Sequence, residues 1–407
     1  VSDSAPVHLA IALQGAGWHP AAWRFAPCPA AEFFRLRYWA DQAIEAERGL
    51  ADFVTIEDAL SAQSSPDGEA GWRTDRFTGR LDAIQLAAGM TPLTRRIGFV
   101  PVATVTHTEP FHLSTAIATL DYVGCGRAGW QPKVSCTAAE ARHFGRRPPS
   151  DFEVWAGASR EQLEADLLAE AADVVEAVRR LWDSWEDDAV IRDLGTGRYL
   201  DASRLHYVDF HGTRFSVRGP SVTPRPPQGQ PVVAVLAHDT ATLELAARSA
   251  DIVYVTPRDA VDVRRIVADV REAEARADRR GPALKIFADL VVFLGADHRS
   301  AADRKARWDD LAGDGEGEGR QAGPDQAGDA STFTGTPAEL GAVVDAWRSA
   351  GLDGVRLRPA SAADDLVAIT GGLVPELQAC GLFRRSYDGA VLRDHLGLGK
   401  PANRYAA

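Results

Sequence analysis

The chain has 407 residues, enough for one large α/β domain with insertions or for two ordinary domains, and its 45% hydrophobic content is that of a globular protein. The formal net charge is −12, with acids spread along the chain, which argues against nucleic acid or an anionic membrane as partner and leaves a small-molecule ligand. No apolar run approaches the roughly 18–20 residues that cross a bilayer. The opening VSDSAPVHLAIALQG is too acidic and too briefly apolar for a secretory signal, so a cytoplasmic location is expected.

Eight short apolar runs read as strands: VHLAIALQ (7–14), DFVTIED (52–58), IGFVPVATV (97–105), AGWQPKVS (128–135), VVAVLAH (232–238), DIVYVTP (251–257), LKIFADLVVFLG (284–295) and DGVRLRPA (353–360). Near-continuous apolar strands suit a parallel sheet buried on both faces. Helical patterns lie between them. Phe33, Leu36, Ala40 and Ile44 recur at helical spacing before Gly49, where a C-terminal glycine cap belongs. Leu163, Leu167, Val174, Val178 and Leu181 mark a long helix over 160–185. Thr336-Pro337-Ala338-Glu339 is a capping box with proline at the first helical position, and Gly351 closes that helix. Strand–helix alternation repeated eight times predicts a single (β/α)8 TIM barrel over residues 1–407, with a long insertion (136–230) between strands 4 and 5. The Gly- and acid-rich stretch 312–331 is expected to be a mobile surface loop. Cys28, Cys125, Cys136 and Cys380 form no CxxC pair and are expected to be reduced and buried, and no metal site is expected.

Polar residues at the C-terminal ends of barrel strands are where active sites are built. Thr104 and Thr106 end the third strand, Thr-Glu-Pro starts a helix, and Asp121 to Gly126 ends it with glycines at 124 and 126 for the turn. Trp18, His19, Trp23, Trp72 and Trp130 are candidates for an aromatic-lined pocket. The run VVAVLAHDTATLELAA (232–247) is a strand, turn and helix start, a common seat for a phosphate, but its turn has no glycine.

At TEPFHLSTAIATLDYVGCGRAGW (108–130) the sequence resembles the luciferase-like, flavin-dependent monooxygenases, in the branch named for nitrilotriacetate monooxygenase component A. The likeness extends through GWHPAAWR (17–24), ADFVTIEDAL (51–60), LWDSWEDDA (181–189), VRGPSVTPRPPQGQPV (217–232) and VPELQACGLFRRSYDGAVLRDHLGL (374–398). The resemblance implies a (β/α)8 barrel that binds FMN as FMNH2, supplied by a separate NAD(P)H:flavin reductase. It implies oxygenation of a small organic substrate through a flavin C4a-peroxide, and a homo-oligomer. Carried over by position, Asp58, Thr104, Thr106, Gln131 and Ser135 would face the flavin, and His238, Asp239 and Thr240 would occupy the phosphate turn. His206 matches a histidine of the insertion and, with His19, is a pocket candidate.

Two departures stand out. The fourth strand reads QPKVS where the family has NVVTS, so a bulge is expected at Pro132, with Lys133 facing the flavin if it points inward. In the phosphate turn Ala237-His238-Asp239-Thr240 replaces a Gly- and Ser-containing segment, and Asp239 as N-cap would compete with a phosphate for the helix amides. Weaker FMN binding follows. Two other readings stay open: a diverged barrel that binds or scaffolds without flavin chemistry or works without flavin, and a deazaflavin (F420) hydride-transfer enzyme.

Overall fold

The computed structural model describes residues 6–62, 77–153, 158–312 and 330–406. Trp72 and most of the stretch expected to be a mobile loop lie outside the described residues. The strands are β1 (His8–Leu13), β2 (Phe53–Ile56), β3 (Gly98–Thr104), β4 (Gly129–Lys133), β5 (Val190–Asp193), β6 (Arg198–Leu200), β7 (Phe210–His211), β8 (Ser216–Val217), β9 (Val232–Leu236), β10 (Ile252–Val255), β11 (Lys285–Leu294), β12 (Ser331–Gly335) and β13 (Gly354–Pro359). The helices are α1 (Leu36–Arg48), α2 (Ala83–Met90), α3 (Pro110–Val123), α4 (Ala138–Ala141), α5 (Ala158–Asp183), α6 (Thr240–Ser249), α7 (Ala260–Arg276), α8 (His298–Ala312), α9 (Pro337–Ser349), α10 (Asp365–Ala368), α11 (Val374–Ala379) and α12 (Leu392–His395).

Eight parallel strands close into a barrel in the order β1-β2-β3-β4-β9-β10-β11-β13, with β13 pairing back onto β1 (Ala10↔Arg356). All eight predicted strands are these eight. A ninth, β12, was not expected: it pairs with β11 from Leu290 to Leu294, beyond the Lys285–Ala288 stretch that pairs with β10. The long β11 thus outruns β10, and β12 covers the edge that β10 leaves open.

Side chains alternate between the barrel interior and the helical shell. Ala10, Phe53, Val100, Val232, Ala234, Ile252, Tyr254 and Phe287 face inward and pack on Leu392, Leu396 and Leu398. The C-terminal segment therefore plugs the N-terminal end of the barrel. Outward residues such as Ile11, Val54, Phe99, Trp130 and Val233 pack on the helices.

The long helix α5 buries Leu163, Leu167, Val174, Val178 and Leu181 as its spacing requires. In α1 the predicted stripe is corrected. Leu36 and Ile44 are exposed, Phe33 lies in a preceding 3-10 turn, and the buried face is Trp39, Ala40, Ala43 and Ala46. Small side chains let this helix sit close to the barrel. Gly49 serves close approach, since a Cβ there would lie 2.6 Å from Thr370 Cγ2. The expected bulge at Pro132 is absent: β4 stays in register with β3 through 131–133, and its ladder to β9 ends at Trp130, before the proline.

The GCGRAGW motif is structural. Gly126 has φ +86, and a Cβ would meet Val391 Cγ1 at 2.4 Å. Asp121 is fully buried and accepts from the Ala128 and Gln228 N–H groups at 3.0 and 3.1 Å, while Arg127 binds the carbonyls of Gly124, Ile97 and Thr91. The cysteines are unpaired, but Cys125 and Cys380 are exposed and Cys28 and Cys136 half-buried, not buried as expected. Among the described residues no helix is long and apolar enough to cross a membrane, and no group of His, Cys, Asp or Glu is placed to hold a metal.

Candidate active site at the C-terminal mouth of the barrel

Above the apolar plug the inward positions turn polar. Asp289 of β11 stands opposite Arg356 of β13, both fully buried. Its carboxylate takes Nε and Nη2 of Arg356 at 3.0 and 2.5 Å, and also Nε of Arg358 at 2.9 Å, with a second bond to Arg358 Nη2. Arg356 Nη1 donates to Gln131 Oε1 at 3.0 Å and lies 3.8 Å from Glu57. Burial pushes the Asp289 carboxyl up, but the Arg356 and Arg358 charges outweigh it and hold it at about 2. Arg356 lies over the Tyr254 ring at 4.0 Å and Arg358 over Trp18 at 4.2 Å. The centre of the barrel is thus a layer of paired charge built from Asp289, Arg356 and Arg358, with Glu57 at its edge.

The predicted residues divide by place. Thr104, Thr106, Gln131 and Ser135 are buried together on the β3–β4 side of the mouth. The Ser135 N–H donates to Thr106 Oγ1 at 2.9 Å, tying the two strand ends. Thr104 Oγ1 has no hydrogen-bond partner, nor do the inward hydroxyls of Thr55 and Tyr254. Lys133 donates to the Asp58 carbonyl at 3.1 Å. Burial raises the Asp58 carboxyl to about 6, against a backbone hydrogen bond from Ala59 that lowers it.

His19 sits on the loop after β1. Ala21 N–H donates to its Nδ1 at 3.2 Å, so Nε2 carries the proton toward Asp309 Oδ1 at 3.1 Å. His206 is not brought to the mouth. It binds Glu186 at 2.8 Å and stacks on Tyr405, in the C-terminal tail that follows the plug at the opposite end of the barrel. His238, Asp239 and Thr240 are exposed on the rim after β9.

The predicted tryptophan pocket is also revised. Trp130 faces the helical shell, and Trp18 donates to the Ala12 carbonyl at 2.8 Å while covering Arg358. The cleft beside the mouth is lined instead by Phe33, Phe34, Trp39 and Phe77 with Gln14 and Glu57. Sequence reasoning missed Asp289, Arg356 and Arg358. Their signal was present: two arginines two apart in DGVRLRPA and an aspartate within LKIFADLVVFLG are charges on doubly buried strands, which must pair.

The profile of the luciferase-like monooxygenase family matches residues 16–354. The chain belongs to this family. It is 28% identical to nitrilotriacetate monooxygenase component A of Aminobacter aminovorans, over 98% of each chain. It is also 28% identical to N-acetyl-S-(2-succino)cysteine monooxygenase of Bacillus subtilis (strain 168), over 100% of this chain and 99% of the other. Its fold is that of EDTA monooxygenase from Chelativorans sp. BNC1 (TM-score 0.81, 23% identity, 97% and 99% covered). A riboflavin lyase solved with modified FMN and riboflavin is similar too (TM-score 0.81, 22% identity, 98% of each). Like these named monooxygenases, this luciferase-like chain is an oxidoreductase.

A flavin, the cofactor this family implies, meets two different environments. At the strand ends the buried, unpartnered hydroxyl of Thr104, with Thr106, Gln131 and Ser135 beside it, fits a flat heterocycle with several hydrogen-bonding atoms. The rim does not fit its phosphate. At α6 the Asp239 carboxylate already accepts the Thr242 N–H at 2.8 Å, and Thr242 Oγ1 accepts the N–H groups of His238 and Asp239 at 3.1 and 3.2 Å.

Proposed function

We propose that this chain is the oxygenating component of a two-component system, taking reduced flavin from a separate NAD(P)H:flavin reductase and oxygenating a small organic substrate. The single observation that carries the reading is the Thr104 hydroxyl, buried without a partner at the end of β3 in the mouth of a luciferase-like barrel. Burying polar groups unpaired is costly, so a ligand that completes their hydrogen bonds is the economical explanation. Bound reduced flavin would supply the electrons that activate dioxygen. The protein's part is positional: Thr104 and Gln131 orient the ring, the Asp289–Arg356–Arg358 layer sets the charge beneath it, and the phenylalanine-lined cleft beside the mouth excludes water.

Anaerobic titration with reduced FMN and reduced riboflavin tests this. Saturable binding of a reduced flavin is expected, together with protein-dependent oxygenated product when the reductase is coupled to a panel of amines, thioethers and carboxylated chelators. Absence of binding by any flavin would refute it. The capped phosphate turn favours one second reading, a barrel that no longer uses flavin, and the same titration decides between the two.

A further inference from the structure

We infer that this site recognises the ring and sugar chain of a flavin and makes no use of its terminal phosphate, so that reduced riboflavin and reduced FMN bind about equally. The inference rests on the flavin reading above and sharpens which flavin chemistry the chain selects.

A helix N-terminus attracts a phosphate because its first N–H groups lack partners and the dipole favours negative charge. Around this mouth, successive helices have part of that position filled by their own carboxylates. At α6, Asp239 Oδ1 accepts both the Thr242 N–H (2.8 Å) and its hydroxyl (2.7 Å), while that hydroxyl oxygen receives the His238 and Asp239 N–H groups. Three backbone donors and one hydroxyl are spent inside a single turn. At α7, Asp259 Oδ1 accepts from Val261 and Asp262 N–H, each at 2.8 Å, and Asp262 accepts the Arg258 N–H at 3.1 Å. At α8, Asp297 accepts the Ser300 N–H at 2.7 Å, and at α9 Glu339 takes the Thr336 N–H at 2.8 Å.

A phosphate on this rim would displace an internal cap and stand against its carboxylate. Three basic side chains near the mouth are already paired, while Arg258 and His238 are exposed. Arg147 and Arg146 pair with Glu170, and Arg304 with Asp365. Arg356 and Arg358, both held by Asp289, lie inside the barrel beneath the strand-end polar cluster, not at the rim. Charge and donors are therefore concentrated where the uncharged part of a flavin goes.

The test is anaerobic equilibrium dialysis of the full chain against dithionite-reduced FMN and, separately, reduced riboflavin. The expected result is two Kd values within about threefold of each other. A phosphate held by several charge-assisted hydrogen bonds would instead favour FMN by about a hundredfold or more. A preference for FMN beyond about tenfold overturns the inference and leaves the flavin reading standing. If Arg258→Ala removes that preference, the exposed Arg258 guanidinium is the anchor and the inference is likewise overturned. Failure of both flavins to bind overturns the flavin reading itself.

Discussion

Asp289 is a carboxylate shared by two buried guanidiniums, and its replacement by asparagine isolates what that charge does. Asp289→Asn keeps the side chain's size, so no cavity opens. It leaves Arg356, fully buried, and Arg358, 3% exposed, close together, with Glu57 3.8 Å from Arg356 as the nearby acid among the described residues. Removing one partner of a buried ion pair typically costs about 3–5 kcal/mol, because the remaining charge is neither solvated nor neutralised. A chain of this length has an unfolding entropy of roughly 0.85 kcal/mol/K near 60 °C, so Tm should fall by about 4–6 °C. Arg358→Met leaves the Asp289–Arg356 pair intact and should cost clearly less. Thermal and urea unfolding followed by circular dichroism measure both. The sign with pH is fixed: the folded carboxyl is depressed to about 2 from an ordinary value near 4. Its stabilisation is therefore present above about pH 4 and lost as pH falls toward 2, so the gap between wild type and Asp289→Asn should close over that window. A Tm change under about 1 °C at pH 7, or a larger loss from Arg358→Met than from Asp289→Asn, would refute the reasoning.

Other substitutions probe other parts of the chain. Asp58, raised to about 6 by burial, binds its proton more tightly folded than unfolded, so its contribution to stability falls as pH rises from about 4 to 6. Asp58→Asn should therefore be relatively more stable than wild type at pH 8 and not at pH 4, as seen by urea midpoints at the two values. Thr104→Val removes an unpartnered buried hydroxyl and should leave Tm unchanged or slightly higher while weakening reduced-flavin binding about two- to tenfold. Leu396→Ala, fully buried in the plug, should cost about 2–5 kcal/mol in urea unfolding. Thr336→Ala, which breaks a reciprocal capping box, should cost about 1 kcal/mol by the same measure.

What the sequence reveals about this molecule follows from how locally each feature is encoded. The barrel strands were legible because parallel strands buried on both faces are apolar almost without interruption. β12 was not: STFTG is half polar, follows a glycine-rich tract and pairs along a single edge of β11. The stripe of α1 was misread because alanines, not Leu36 and Ile44, make its buried face. At the site, Thr104, Thr106, Gln131 and Ser135 were found because strand-end polarity is local. The Asp289–Arg356–Arg358 layer needs a partner 67 residues away in the chain. Which ring nitrogens His19 spends, and which end of the barrel holds His206, depend likewise on contacts that no local pattern carries.

The plug of Leu392, Leu396 and Leu398 also bears on the order of assembly. A chain emerging from the ribosome presents β1 first, yet β1 cannot complete its pairing until β13 appears some 340 residues later, a separation set by Ala10↔Arg356. The inward apolar faces of Phe53, Val100 and Ile252 stay uncovered longer still, until the three leucines follow. Until then the nascent protein carries an open-bottomed, unclosed sheet, the kind of exposed apolar surface and free strand edge that invites aggregation. Its demand for chaperone protection should fall only once these three leucines have followed the last barrel strand.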